Sequence, residues 1–278
     1  MNSSLILSIT TFVYGASAFL YIAAWVFRKH ELGSFAFWAG AAGILGNSAG
    51  IGLRWVETYQ LGVGHAPLSN LYESLVFFAL AIAVLYLIIE KKYRLSTIGA
   101  FAMPLAFLAL AYASLSPNIS DRIQPLLPAL KSNWLIAHVI TCFIGYAAFA
   151  VAFGLSLMFL VKREDRPPES VWSKMPALPV LDELTHRMVV LGFLFLTAGI
   201  ITGAVWANSA WGRYWGWDPK ETWSLITWFI YATLLHARLM RGWQGRRAAF
   251  FSIAGFGAVL FTYFGVNLLP GLHSYGSM

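Results

Sequence analysis

The amino-acid sequence predicts an all-α, polytopic membrane protein with about eight transmembrane helices and both termini on the extracytoplasmic side. Three observations carry that expectation. The 278 residues are 59% hydrophobic and only 11% charged, more apolar surface than a soluble domain of this length can hide. The apolar residues gather into eight runs, each near the roughly 20 residues that a helix needs to cross a hydrocarbon core. The Lys and Arg residues, finally, fall unevenly on alternate connectors, as they do where a membrane sorts them.

Taken in order, the spans lie near 5–27, 34–54, 69–90, 95–115, 133–161, 185–206, 220–238 and 248–269, and residues 1–278 read as a single integral membrane domain. The first run follows Met1-Asn2-Ser3-Ser4, which lacks the basic segment of a secretory signal. It is also too long for a cleaved signal, so it reads as a retained span. The second carries Gly46, Asn47, Ser48 and Gly50, small residues that suit close helix packing. The fifth is long enough to extend beyond the membrane. Between the fifth and sixth, the connector 162–184 holds Arg163-Glu164-Asp165-Arg166-Pro167-Pro168-Glu169 and reads as a solvated linker. The seventh opens on Asp218-Pro219-Lys220-Glu221. An Asp at the N-cap, Pro at the first helical position and an acid at the third make a capping-box start.

Charge sets the orientation. Fourteen of the 19 Lys and Arg residues lie on one set of connectors: Arg28 and Lys29, then Lys91 to Arg94, the 162–187 region, and Arg238 to Arg247. Arg54, Arg122, Lys131, Arg213 and Lys220 are the five on the other. The positive-inside rule therefore puts both termini, the loops near 55–68 and 116–132, and the connector after the sixth span outside. The formal net charge of +7 is spread along the chain, so nucleic acid is not an expected partner. The single cysteine, Cys142, lies within an apolar run. It excludes an internal disulfide and any Cys-x-x-Cys chemistry in this chain.

One outer connector stands apart. Five of twelve tryptophans fall within residues 206–223: Trp206, Trp211, Trp215, Trp217 and Trp223. Tryptophan is enriched at membrane interfaces whatever a protein does, and two or three would need no further account. Five, with Gly212 and Gly216 allowing close backbone approach, predict a flat, mostly dry surface for a flat aromatic ligand. Four of the six histidines bear on the same question. His138 lies roughly 9 Å along the fifth helix from its outer end, and His236 roughly 25 Å down the seventh. His65 is in an outer loop, where a ligand, a gate and a structural residue are all open and the last is favoured; His273 follows the last span on the outer side. Taken singly, each is more simply a satisfied polar residue. Two outer histidines on the side of the tryptophans suggest axial ligands for the iron of a planar macrocycle. Arg213, Lys220 and Arg54 would then be candidates for its anionic groups, although each could equally be an interfacial side chain reaching for water.

The stretch Trp211-Gly212-Arg213-Tyr214-Trp215-Gly216-Trp217-Asp218-Pro219-Lys220-Glu221-Thr222-Trp223 closely resembles the tryptophan-rich "WWD" signature of haem-handling membrane proteins. Its Asp-Pro-Lys-Glu-Thr-Trp ending resembles the CcsA (ResC) branch of system II cytochrome c biogenesis. The segments 65–74, 132–138 and 265–275 agree with the same family. The resemblance implies haem b (iron protoporphyrin IX) as cofactor, held against Trp211, Gly212, Arg213, Trp215, Trp217, Asp218, Lys220 and Trp223. It implies His138 and His273 as outer axial ligands and His236 as an intramembrane ligand, with that ligand's opposite number supplied by a ResB/CcsB-type membrane subunit. The expected function is a haem-binding subunit of a membrane cytochrome c synthase. It would move haem outward and present it for thioether attachment to the CxxCH motif of apocytochrome c, so synthase activity would belong to the complex. The membrane would be a bacterial cytoplasmic (inner) membrane or a thylakoid, with the WWD loop periplasmic or lumenal and membrane lipid around the spans. The alternative is a haem exporter that hands haem to a separate chaperone. An unrelated secondary transporter fits less well, because no internal repeat is evident and the ionisable residues cluster at the two faces.

Overall fold

The computed structural model of the chain describes residues 2–162, 167 and 170–271. Among these, every regular element is helical. In chain order they are α1 (Ser3–Phe27), α2 (His30–Gln60), α3 (Leu71–Tyr93), α4 (Gly99–Leu115), α5 (Asn133–Val161), α6 (Leu178–Trp211), α7 (Pro219–Arg241) and α8 (Arg246–Tyr263). Short 3-10 turns precede α4 and follow α8. Each expected span coincides with one helix. The largest differences are α2 and α6, which overrun their apolar runs at both ends. Hydropathy marks the depth of a hydrocarbon layer, whereas a helix stops only where its backbone bonding is interrupted.

Six of the segments are both long and apolar enough to cross a membrane: α1, α3, Ser96–Leu115, α5, α6 and Arg246–Leu268. Helices α2 and α7, at 31 and 23 residues, have the length but not the apolarity. In α2 the polar residues are drawn inward, with Asn47, Arg54 and Thr58 buried. In α7 the charges sit at the ends, Glu221 in the first turn and Arg238 and Arg241 in the last, where each complements the helix dipole.

The chain divides into two compact units, one of Met1–Leu126 with Val161–Val180 and the other of Leu127–Leu160 with Leu181–Met278. In the first, α1 packs on α2 and α4, and α3 on α4. A Cβ at Gly46 would lie 2.6 Å from Thr10 Oγ1, and one at Gly50 2.6 Å from Leu7 Cδ2. Those glycines are the contact itself, as their spacing suggested. Asn47 Nδ2 donates to the Val76 carbonyl at 3.2 Å.

Two ionisable clusters are buried in this unit, one an ion pair and the other a carboxylate held by hydroxyl hydrogen bonds. Arg54 Nε lies 2.8 Å from Glu73 Oε1, and Arg54 Nη1 donates to the Asp121 carbonyl at 2.8 Å. Glu73 also accepts from the backbone and hydroxyl of Ser69, both at 2.8 Å. The guanidinium stands over the Tyr72 ring, 4.9 Å from its centroid. In the other cluster Glu90 accepts from the hydroxyls of Tyr21 and Tyr86. Burying a charge is tolerable only with this degree of bonding.

In the second unit α5 meets α6 through small residues. A Cβ at Gly145 would come within 3.1 Å of the Gly192 carbonyl. Phe149 fills the space beside Gly192 and stacks on Tyr231, with centroids 3.6 Å apart and planes at 5°. Asp182 ties three helix ends together, accepting from Arg238 Nη1 and from the Gly245 backbone N–H, each at 2.7 Å.

Candidate functional site

The tryptophan-rich stretch is mostly helix. Trp206 and Trp211 belong to the last turns of α6 and Trp223 to the first turns of α7, so the connector proper is residues 212–218. Gly212 ends α6 with φ +74° and donates its N–H to the Asn208 carbonyl at 2.9 Å, the left-handed stop that glycine makes without strain. Asp218 starts α7, its carboxylate accepting from Lys220 N at 2.9 Å. Glu221 reaches back to the N–H groups of Asp218 (3.1 Å) and Gly216 (2.7 Å). The expected capping box is therefore present, and its acid also clamps the connector. Gly216 admits the Arg213 guanidinium, which would lie 2.7 Å from a Cβ there. Arg213 is otherwise exposed.

The indoles do not make the flat surface expected of them. Trp206 and Trp211 meet at 66°, and Trp215 and Trp217 at 90°. Edge-to-face contact satisfies the ring quadrupoles better than a coplanar sheet would. Trp223 packs on Phe261, and its carbonyl accepts from Thr262 Oγ1 at 3.2 Å, so it fastens α7 to α8. Trp217 is 69% exposed and has φ +58°, a left-handed backbone that a bulky side chain rarely adopts. Local strain of that kind collects at functional sites.

Trp206 and His138 do lie nearly parallel, with planes at 8° and centroids 6.1 Å apart. Trp206 is 2% exposed, and its Nε1 donates to the Ala129 carbonyl at 2.9 Å. His138 Nδ1 lies 2.8 Å from the Gly199 carbonyl. A carbonyl can only accept, so Nδ1 carries the proton and the imidazole lone pair is on Nε2. Orientation of one ring nitrogen by a backbone carbonyl is the usual support for a metal-ligating histidine. Gly203 makes the room, since a Cβ there would stand 2.6 Å from His138 Nδ1. The residues present therefore fit one axial ligand of a haem.

Other expected participants fall as follows. His273 lies outside the described residues. Gly271, two positions earlier, packs on the start of α7, where a Cβ would be 2.6 Å from Asp218 Oδ2. Lys220 Nζ reaches Asn267 Oδ1 at 3.5 Å. His236 is exposed on α7. Arg54, considered for an anionic group, is 2% exposed and committed to Glu73; its helix turns it inward. His65, 7% exposed, has Nδ1 2.9 Å from the Ala66 carbonyl and Nε2 3.2 Å from the Gln124 carbonyl, which agrees with a structural role. No cluster of three metal-binding side chains occurs among the described residues.

Reading by residue type missed Gly199, Gly203 and Ala129, which act through backbone or through having no side chain. For the two glycines a signal existed: with Gly192 they recur at helical spacing in an otherwise bulky span.

These features define an all-helical membrane protein with an oriented histidine and a capped tryptophan-rich turn at one end of its second unit. The family follows from comparison. A profile of the cytochrome C assembly protein family matches residues 68–273. A "Cytochrome c biogenesis protein CcsA" of Synechococcus sp. (strain CC9902) is 43% identical over 250 residues, covering 81% of each chain. Another of that name, from Gloeobacter violaceus, is 39% identical and covers 94% of this chain and 92% of its own. The chain belongs to the CcsA family. Among solved structures, "Cytochrome c Heme Lyase CcmF" shares the fold with a TM-score of 0.67 at 19% identity, over 95% of this chain. The present chain spans about half of that longer one, 47% of its length.

Proposed function

We propose that the chain is the haem-binding subunit of a membrane cytochrome c synthase, one that moves haem b to the extracytoplasmic face and presents it to apocytochrome c. The observation that carries this reading is His138, oriented by the Gly199 carbonyl and nearly parallel to Trp206, in a chain of the CcsA family. His273 is the second outer ligand. Haem supplies the vinyl groups to which the thiols of a CxxCH motif add. With haem bound, His138 and His273 would hold its iron, the indoles of the turn would shield it, and Arg213 and Lys220 would meet its carboxylates, which amounts to catalysis by position.

His236 is the intramembrane ligand in this proposal. It lies on a continuous exposed stripe of α7 with Ile226, Phe229, Thr233 and Met240. A histidine facing lipid is costly, so its exposure supports a ResB/CcsB-type subunit covering that face and supplying the opposing ligand. All eight helices cross the membrane here, α2 and α7 included, with both termini and the tryptophan-rich turn outside, in a bacterial inner or thylakoid membrane.

The test is spectroscopic. Purified chain supplied with haem should show a b-type spectrum. His138→Gly and His273→Gly should each lose it along with cytochrome c maturation, and added imidazole should partly restore both. Maturation at the unaltered rate in both variants refutes the axial assignment. Should the chain with a ResB-type partner fail to mature a reporter cytochrome without a haem chaperone, the exporter reading takes its place.

A further inference from the structure

In the first unit a cavity of about 180 Å³ opens where α1, α2, α3 and the 3-10 turn before α4 end or begin. Its walls include Arg28, Lys29, Arg94 and Lys174 together with Ser96 and Thr97, and among the described residues no carboxylate lines it. Among the described residues these four cations make no ion pair. Glu31, two residues past Lys29, is exposed in the first turn of α2 and does not line the cavity, while Glu90 is buried and spent on the hydroxyls of Tyr21 and Tyr86. The 3-10 turn Ser96–Ile98 begins without any side-chain cap.

Basic residues at this end of a membrane protein would ordinarily need no explanation. The backbone is what requires one. Among the described residues three non-glycines have positive φ, and two of them, Arg28 and Arg94 at +58° each, line this cavity. They are the C-caps of α1 and α3, positions where glycine or asparagine terminates a helix without strain. Here the strained backbone carries a cation instead, twice, around one cavity. Beside it, Val26 and Phe27 at the end of α1 are exposed, an apolar rim adjoining a polar pocket.

We propose that this cavity binds the phosphate group of an anionic molecule, gripped by Arg28 and Arg94 and assisted by Lys29, Lys174 and the hydroxyls of Ser96 and Thr97. The apolar rim favours a phospholipid headgroup over a free phosphate as its source. This site is independent of the haem reading and would stand if that reading failed.

The experiment uses the full chain reconstituted in nanodiscs and measures retention of phosphatidylglycerol against phosphatidylcholine by native mass spectrometry, with inorganic phosphate as competitor. The decisive variant is Arg28→Gly/Arg94→Gly. Glycine relaxes both backbones, so the unfolding midpoint should hold or rise while phosphatidylglycerol binding falls. The fall should be about fivefold per cation, roughly 25-fold for the pair. The control Lys91→Gln/Lys92→Gln removes two nearby charges that do not line the cavity and should leave binding unchanged. Competition by millimolar phosphate together with no lipid preference upholds the site and assigns it to a free anion. Equal binding by the decisive variant and the wild-type chain overturns the proposal, as does an equal loss in the control or wild-type chain that prefers neither phosphatidylglycerol nor phosphate.

Discussion

His65 in the first unit and His138 in the second are both histidines oriented by backbone carbonyls. They differ in what those carbonyls hold. His65 has a carbonyl on each ring nitrogen, Ala66 and Gln124, so the ring is a cross-brace between two loops. His138 gives Nδ1 to Gly199, which fixes a tautomer whose lone pair is on Nε2. The same contrast runs through the interiors. The first unit closes its buried charges on themselves, Arg54 with Glu73 and Glu90 with two tyrosines. The second has tryptophans and an oriented imidazole at one end and an exposed His236 on α7. A polar network that is complete within the chain is architecture; one arranged toward something outside the chain is a site.

The sharpest way to break this comparison is to open the closed network. Arg54→Met leaves the Glu73 carboxylate buried without its cation and should destabilise the protein by about 3–5 kcal/mol, read as a fall in the thermal unfolding midpoint in detergent. Arg54→Met/Glu73→Leu should recover much of that loss. A double variant as unstable as the single would mean that the pair is doing something other than neutralising itself.

The histidines come next. His138→Gly should lower haem retention by at least roughly 100-fold, beyond the usual cost of removing a ligand's supporting partner. His65→Gln should keep the haem spectrum and lose stability instead. If His65→Gln loses haem and imidazole restores it, the distinction drawn above is mistaken. Gly203→Ala tests the support and not the ligand. A methyl group 2.6 Å from Nδ1 forces the ring to move, at about 1–3 kcal/mol, and should shift the haem absorption without abolishing it. A spectrum identical to wild type would show that His138 is not where the iron sits.

How much of this was legible in the sequence depends on whether a feature lives in a side chain or in the backbone. Helix number and order were, because apolar runs interrupted by Lys and Arg carry them directly. So was the start of α7, since Asp218, Pro219 and Glu221 each have a positional meaning. The ends of α2 and α6 were not, because polar residues extend a helix past the hydropathy that marks it. The tryptophans were legible as a cluster but not as a shape: composition announces indoles and says nothing of the 66° and 90° at which they meet. Arg54 looked available and is not, since the residue that claims it, Glu73, lies on a different helix. Gly199 acts only through its carbonyl, and no residue letter encodes where a carbonyl points.

The smallest effect makes the finest test, because stability and function should move in opposite directions. Trp217 is held at φ +58° with its indole largely exposed. Neither burial nor a helix stop explains that conformation, for the capping of α7 is done by Asp218 and Glu221. Trp217→Gly removes the clash of Cβ with its own backbone, though it also frees the unfolded chain, so the net change should be about 1 kcal/mol of stabilisation or less. If the strained residue is kept for the ring it presents, haem retention must fall even as the unfolding midpoint holds or rises. Trp217→Ala, which keeps the strain and deletes the ring, should lose both. A Trp217→Gly protein that is less stable and still binds haem would place the indole among the structural tryptophans, with Trp223.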